Sequence, residues 1–189
     1  MRKLLLGATL AASSIANAQD LGFKGVPFGA TKEELMARFP ALECKPTMRS
    51  FKMLGEEQCT TRLSSKMDDS LRQLYSYGGQ PAQDASFGIV NGRFEQFSMK
   101  FTPGKYEAVR NSVSEAFGRG KESVNAMQTM GGMSFSSRTS SYAMVGGTIT
   151  VLEHVGSIDW GGVDGRSPAF SAYVQRVKAG DPKTGSKDL

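Results

Sequence analysis

The chain has 189 residues, 39% hydrophobic and 22% charged, with 23 Lys and Arg against 18 Asp and Glu and a formal net charge of +5. That length suits one domain or two small fused lobes. The basic residues are scattered, so nucleic acid is not an expected partner, and no segment after the first twenty residues is apolar enough to read as a membrane helix.

The N-terminus carries a positive cluster, Met1-Arg2-Lys3, then an uncharged apolar run from Leu4 to Ala12. Ala16-Asn17-Ala18 follows as a small-x-small site before Gln19-Asp20. This pattern predicts a signal peptide over residues 1–18, cut after Ala18. The run is shorter than the roughly 20 apolar residues that span a bilayer. The cleavage site has no cysteine, so no lipid anchor is expected. Losing Arg2 and Lys3 lowers the formal charge from +5 to +3. The mature chain is expected in the periplasm or outside the cell, as one globular domain over 19–178. Residues 179–189, rich in Gly, Pro, Ser and Lys, read as a disordered tail.

In chain order, Phe23, Val26 and Phe28 alternate around glycine turns. Thr31-Lys32-Glu33-Glu34 forms a capping box. Leu35, Met36 and Phe39 follow on one helical face and Pro40 stops the chain, which predicts a helix over 31–39. Cys44 and Cys59 are the two cysteines. In an oxidising compartment they read as a disulfide, whose loop of about 15 residues is worth roughly 3 kcal/mol. A metal pair would lack partners beyond His154, and the spacing is not that of a redox C-x-x-C. Strands are expected near 49–54 and 58–64. Leu71, Gln73, Tyr75 and Tyr77 alternate with polar neighbours, predicting a strand over 70–77. After the turn Gly78-Gly79-Gln80-Pro81, strands over 85–90 and 93–101 pair across Asn91-Gly92, a strong hairpin signal. Tyr106, Val109, Val113 and Phe117 recur at helical spacing, predicting a helix over 104–117 with Gly118 as its cap. A polar stretch follows up to 133. Strands at 134–143 and 147–154 turn at Val145-Gly146-Gly147. A Gly-rich loop at 156–167 holds Trp160, and Phe170, Ala172 and Val174 suggest a last strand at 169–177.

The expected fold is α+β, an antiparallel sheet with two short helices. The helix-then-strands order in residues 20–101 and again in 102–178 suggests a degenerate tandem repeat.

The stretch Gly25-Val26-Pro27-Phe28-Gly29-Ala30-Thr31-Lys32-Glu33-Glu34-Leu35 resembles the helix start of small exported envelope proteins. Those include the SmpA-type assembly lipoproteins and the β-lactamase inhibitory protein. The segment from Phe94 to Gly118 is similar to uncharacterised proteobacterial periplasmic proteins. The assembly lipoproteins carry a lipobox cysteine and this chain has none. The resemblance implies an α+β fold and a tendency toward protein binding; it transfers no partner and no site residue.

Signals for catalysis are thin. His154 is the only histidine, and Gly-x-Ser-x-Gly, Ser-x-x-Lys and His-Glu-x-x-His are all missing. Gly118-Arg119-Gly120-Lys121 lacks Walker spacing. Asp68 and Asp69 are expected to face apart on an extended or turn segment, and Asp159 and Asp164 are too widely spaced for a calcium loop. Two binding readings remain. Trp160 in its Gly-rich loop, with Tyr75 and Tyr77 on one strand face, would grip an envelope or extracellular protein, since tryptophan is favoured at hot spots. This expected role is non-catalytic, as an enzyme inhibitor or an assembly factor, with no cofactor. The alternative uses the thioethers of Met127, Met130 and Met133, with Met144 nearby, to hold Cu(I), a soft ion handled in the periplasm.

Overall fold

The computed structural model describes residues 21–61, 69–129 and 131–180. The expected signal peptide, the tail from 181 onward, Asp68 and Met130 lie outside the described residues.

A two-residue hairpin, β1 (Gly22–Phe23) and β2 (Val26–Pro27), leads into α1 (Lys32–Arg38). The capping box forms as expected: the Glu34 amide donates to Thr31 Oγ1 at 3.2 Å, and the Thr31 amide donates to Glu34 Oε2 at 2.7 Å. Leu35 and Phe39 are buried, whereas Met36 is turned outward. β3 (Glu43–Pro46), a 3₁₀ segment (Arg49–Leu54) and β4 (Glu57–Thr61) follow. The expected strand at 49–54 is thus a 3₁₀ turn. Next come α2 (Asp69–Leu74), the small pair β5 (Ser76–Tyr77) and β6 (Gln80–Pro81), and the hairpin β7 (Asp84–Val90) and β8 (Arg93–Phe101). Asn91 and Gly92 both take positive φ, 51° and 71°, as a two-residue hairpin turn requires. The second half contains α3 (Tyr106–Phe117), β9 (Lys121–Gln128), β10 (Ser134–Met144), β11 (Gly147–Leu152), β12 (Gly161–Arg166) and α4 (Pro168–Lys178).

The fold is α+β, with four α-helices among the described residues against the two expected. The strand expected at 70–77 is helical over Asp69–Leu74: Leu71, Leu74 and Tyr75 also fit an i, i+3, i+4 spacing, and that period prevails. The strand expected at 169–177 is α4. Ser167 caps it, accepting from the Phe170 amide at 2.9 Å, and Pro168 occupies the first turn, both start signals for a helix. Phe170, Tyr173, Val174 and Val177 then share one face.

Eight strands form one antiparallel sheet in the order β3-β4-β7-β8-β12-β11-β10-β9. Each half of the chain supplies four neighbouring strands, and the last strand of each half, β8 and β12, meet in the middle. Strand β12 arises from the segment read as a Gly-rich loop. Its glycines lie beside large rings: a Cβ at Gly165 would come within 2.1 Å of the Phe97 ring, and one at Gly161 within 2.5 Å of the Phe101 ring. Glycine is therefore what lets Phe97 and Phe101 lie across the neighbouring strand, despite its low strand preference.

One sheet face packs against α1, α2 and α3. Phe87 and Ile89 of β7, Phe97, Met99 and Phe101 of β8, Ile149 and Val151 of β11, and Val163 of β12 point into this core. Phe23 sits among Phe39, Phe87 and Phe97 with ring centroids 5.1–5.5 Å apart. Such ring pairs each add about 0.5–1.5 kcal/mol beyond area burial. α3 is fixed to the sheet by two hydrogen bonds of 2.8 Å, between the Tyr106 and Ser140 hydroxyls and between the Ser114 and Tyr142 hydroxyls. No described helix is long and apolar enough to cross a membrane.

Candidate functional site

Alternate residues of a strand point to opposite faces, so the side chains between the core residues populate the other face. That face is polar. Thr60, Ser86, Ser98, Asp164, Thr150 and Ser141 stand side by side across β4, β7, β8, β12, β11 and β10. The adjacent row carries Gln58, Gly88, Gln96, Arg166 and Thr148. α4 and the 3₁₀ segment cover only part of it, α4 packing on Val90. Between them lies a cleft of about 290 Å³, with Gln96, Ser98, Lys100, Asp84 and Asp164 on the sheet side and Met53, Leu54 and Phe170 as walls. A second depression of about 480 Å³, lined by Lys45, Pro46, Thr47 and Met48, shares Leu54, Gln58 and Thr60 with it. Met48 and Met53 are exposed along this rim. The Cys44–Cys59 disulfide joins β3 to β4 at directly opposed residues and so anchors the outer wall.

The cleft floor is electrostatically specific. Asp164, with 17% of its side chain exposed, receives Arg166 Nε at 2.5 Å on Oδ1 and Gln96 Nε2 at 3.1 Å on Oδ2. Burial pushes its carboxyl above the usual range, opposed by Arg166 and Gln96. Gln96 is 3% exposed, and its Oε1 has no hydrogen-bond partner. Since Nε2 already donates to Asp164, exchanging the two amide ends would set an oxygen against a carboxylate. Gly88 makes room for this amide: a Cβ there would meet Leu54 O at 2.6 Å, Gln96 Oε1 at 3.0 Å and the Phe170 ring at 3.1 Å. Lys100 pairs with Asp84 at 3.7 Å, which turns its ammonium toward a carboxylate. The arrangement can bind by charge and hydrogen bonding.

The residues singled out from sequence fall elsewhere. Tyr75 is fully buried in the aromatic core, against Phe39 and Phe87. Tyr77 stacks on Phe97 and Phe23, and burial raises its phenol to about 12. Neither ring is displayed for a partner, because the segment turns from helix into a short core-facing strand. Trp160 is exposed, just before β12, with its carbonyl accepting from the Val155 amide at 2.6 Å. Met127 lies on β9, and Met133 is exposed in the connection just before β10. Met144 is at the far end of β10, roughly 33 Å from Ser134 at about 3.3 Å per residue, so it does not join them. His154 bonds through Nδ1 to the Ile158 carbonyl at 3.0 Å and stands edge-on to Phe135 at 5.1 Å. Asp164 belongs to a strand, apart from Asp159 in the preceding turn. No cluster of three or more His, Cys, Asp or Glu suited to a metal occurs among the described residues.

Sequence reasoning passed over Gln96, Lys100, Asp84 and Arg166. The alternation of Gln96, Ser98 and Lys100 with Phe97, Met99 and Phe101 does mark a polar face on β8. What placed Asp164 and Arg166 beside it was the register of β12, which its glycines concealed. Comparison with protein-family models, curated proteins and solved structures gave no match to this chain.

Proposed function

We propose that this chain is an exported, non-catalytic binding protein that holds a partner protein on the open face of its sheet. It would act as an inhibitor of an envelope enzyme or as an assembly factor, in line with the resemblance carried by residues 25–35 and 94–118. The observation that carries this reading is the division of the sheet. Three helices seal one face into an aromatic core, while the other presents ordered polar rows around a walled cleft with exposed methionines on its rim. Methionine is adaptable and recurs at surfaces that accommodate partners. Export rests on the pattern of residues 1–18, with cutting after Ala18, and accords with the Cys44–Cys59 bridge.

The test is capture of envelope proteins on immobilised, oxidised residues 19–189. A stoichiometric partner should be retained by wild type and by Glu115→Lys, which alters the outer surface of α3. It should be lost with Met53→Asp, whose side chain lines the cleft. Equal retention by Met53→Asp and Glu115→Lys, or no retention by wild type, refutes the reading.

A second reading keeps Cu(I) at Met127, Met130 and Met133. It is supported by the hairpin bond from the Thr129 amide to the Met133 carbonyl at 2.9 Å, which brings the two arms together near Met127. Competitive Cu(I) titration of wild type and of Met133→Leu tests it: no binding by wild type, or equal binding by both, rejects the site.

A further inference from the structure

The cleft is uneven in what it offers. Its basic groups are on the rim: the Lys100 and Arg166 side chains are 44% and 50% exposed, and each already faces a carboxylate. Its deepest polar groups are acceptors, the Asp164 carboxylate and the Gln96 carboxamide oxygen. A buried amide oxygen without a donor costs the desolvation of that group until a donor arrives. The carboxylate beside it is also incompletely compensated, since burial outweighs the help of Arg166 and Gln96 in setting its protonation. A ligand bringing an anion would meet a second negative charge in a site of low dielectric. A ligand bringing a positively charged donor would satisfy both groups at once. The walls set the rest of its shape, because Met53, Leu54 and Phe170 are apolar and line the path from the rim. Long basic side chains bury an apolar stem in this way while their head groups find polar partners.

Building on the reading of the open face as a docking surface, we propose that the cleft receives one lysine or arginine side chain of the partner protein. Its stem lies against Met53, Leu54 and Phe170, and its head group donates to Asp164 and to Gln96 Oε1. The Leu54 backbone carbonyl and the Phe170 ring converge over Gly88, next to that oxygen. Neighbouring hydroxyls of Ser86 and Ser98 on the cleft wall complete a polar ring around it.

The test titrates oxidised residues 19–189, labelled for NMR, with capped pentapeptides Gly-Gly-X-Gly-Gly. X is arginine, lysine, norleucine or glutamate. The arginine and lysine peptides should saturate shifts at the Gln96 side-chain amide and at the Ser98 and Asp164 amides. The norleucine peptide, which has the stem without the charge, and the glutamate peptide should not. Asp164→Asn and Gln96→Met should each weaken the arginine peptide about tenfold, in line with loss of a charge-assisted hydrogen bond. Met53→Ala, on the exposed wall where folding is not at stake, should weaken it severalfold. Thr139→Ala, on the same face beyond the cleft, should leave it unchanged. Equal shifts with norleucine or glutamate, or no saturable shift with either cation, overturn the proposal. A partner captured equally by wild type and Asp164→Asn, yet lost with Met53→Asp, overturns the cation and leaves the docking face standing.

Discussion

Gly165→Ala tests how the two halves of the sheet fit together. The new methyl would come within 2.1 Å of Phe97 Cε1 and 2.5 Å of Cζ, so the Phe97 ring must retreat by more than an ångström. That ring is fully buried and packs on Phe23 at 5.1 Å, Tyr77 at 6.0 Å and Phe28 at 6.1 Å. Overpacking a core costs about 1–3 kcal/mol, and weakening three ring contacts worth about 0.5–1.5 kcal/mol each adds to that. Removing a glycine returns about 0.4–1 kcal/mol through the unfolded chain. The expected net loss is about 2–3 kcal/mol, read as a lower midpoint in urea at unchanged slope. Gly165→Ala/Phe97→Leu should recover part of the loss, because the smaller side chain vacates the space; a coupling above about 1 kcal/mol is expected. A loss below about 0.5 kcal/mol, or strict additivity in the double variant, would refute the account of glycine as the seat of Phe97.

Three further outcomes are expected. Cys44→Ser/Cys59→Ser should lose about 3 kcal/mol, from the sequence separation of 15 and the loop-closure argument, and reduction should lower the wild-type midpoint to match; a variant as stable as the oxidised protein speaks against a structural bridge. Asp164 titrates higher in the folded protein than in the unfolded chain, so between those two values the native state holds the extra proton and stability falls as pH rises. Asp164→Asn should therefore gain on wild type in denaturation experiments as pH is raised through the carboxylate range, and a relative loss over that rise contradicts the burial argument. Tyr77, with its phenol near 12, should be among the last tyrosines to ionise in an alkaline absorbance titration and should destabilise the fold as pH rises from about 10; its ionising in step with free tyrosine would place it outside the core.

The sequence was most informative where local chemistry and tertiary structure agree. Thr31 and Glu34 announced α1, Asn91-Gly92 announced the β7–β8 turn, and Tyr106, Val109 and Val113 announced α3, because capping, turn geometry and periodicity act within a few residues. Readings failed where a residue answers to a distant neighbour. Gly161, Gly162 and Gly165 look like a loop until Phe97 and Phe101 are set beside them. β9 shows no alternation because it is an edge strand with nearly all of its side chains in solvent, so burial leaves no mark on it. Tyr75 and Tyr77 alternate as a strand would, yet the burial of Tyr75 follows a helical turn. The cleft was the least legible feature of all. Gln96 and Asp164 stand 68 positions apart, and their meeting depends on a register that neither segment encodes alone.

The seam between β8 and β12 also bears on the order of folding. Its paired residues, from Gly161↔Phe101 to Arg166↔Gln96, lie 60 to 70 positions apart in the chain. The strands on either side, by contrast, are joined largely by hairpins. Closing such a long loop carries its entropic cost before the contacts reward it, and non-local pairing of this kind slows folding. Until β12 arrives, β8 presents an unpaired edge with Phe97, Met99 and Phe101 along it, the kind of surface that invites association between chains. Pairing β8 with β12 is thus both the sheet contact with the longest loop to close and the one that covers that edge.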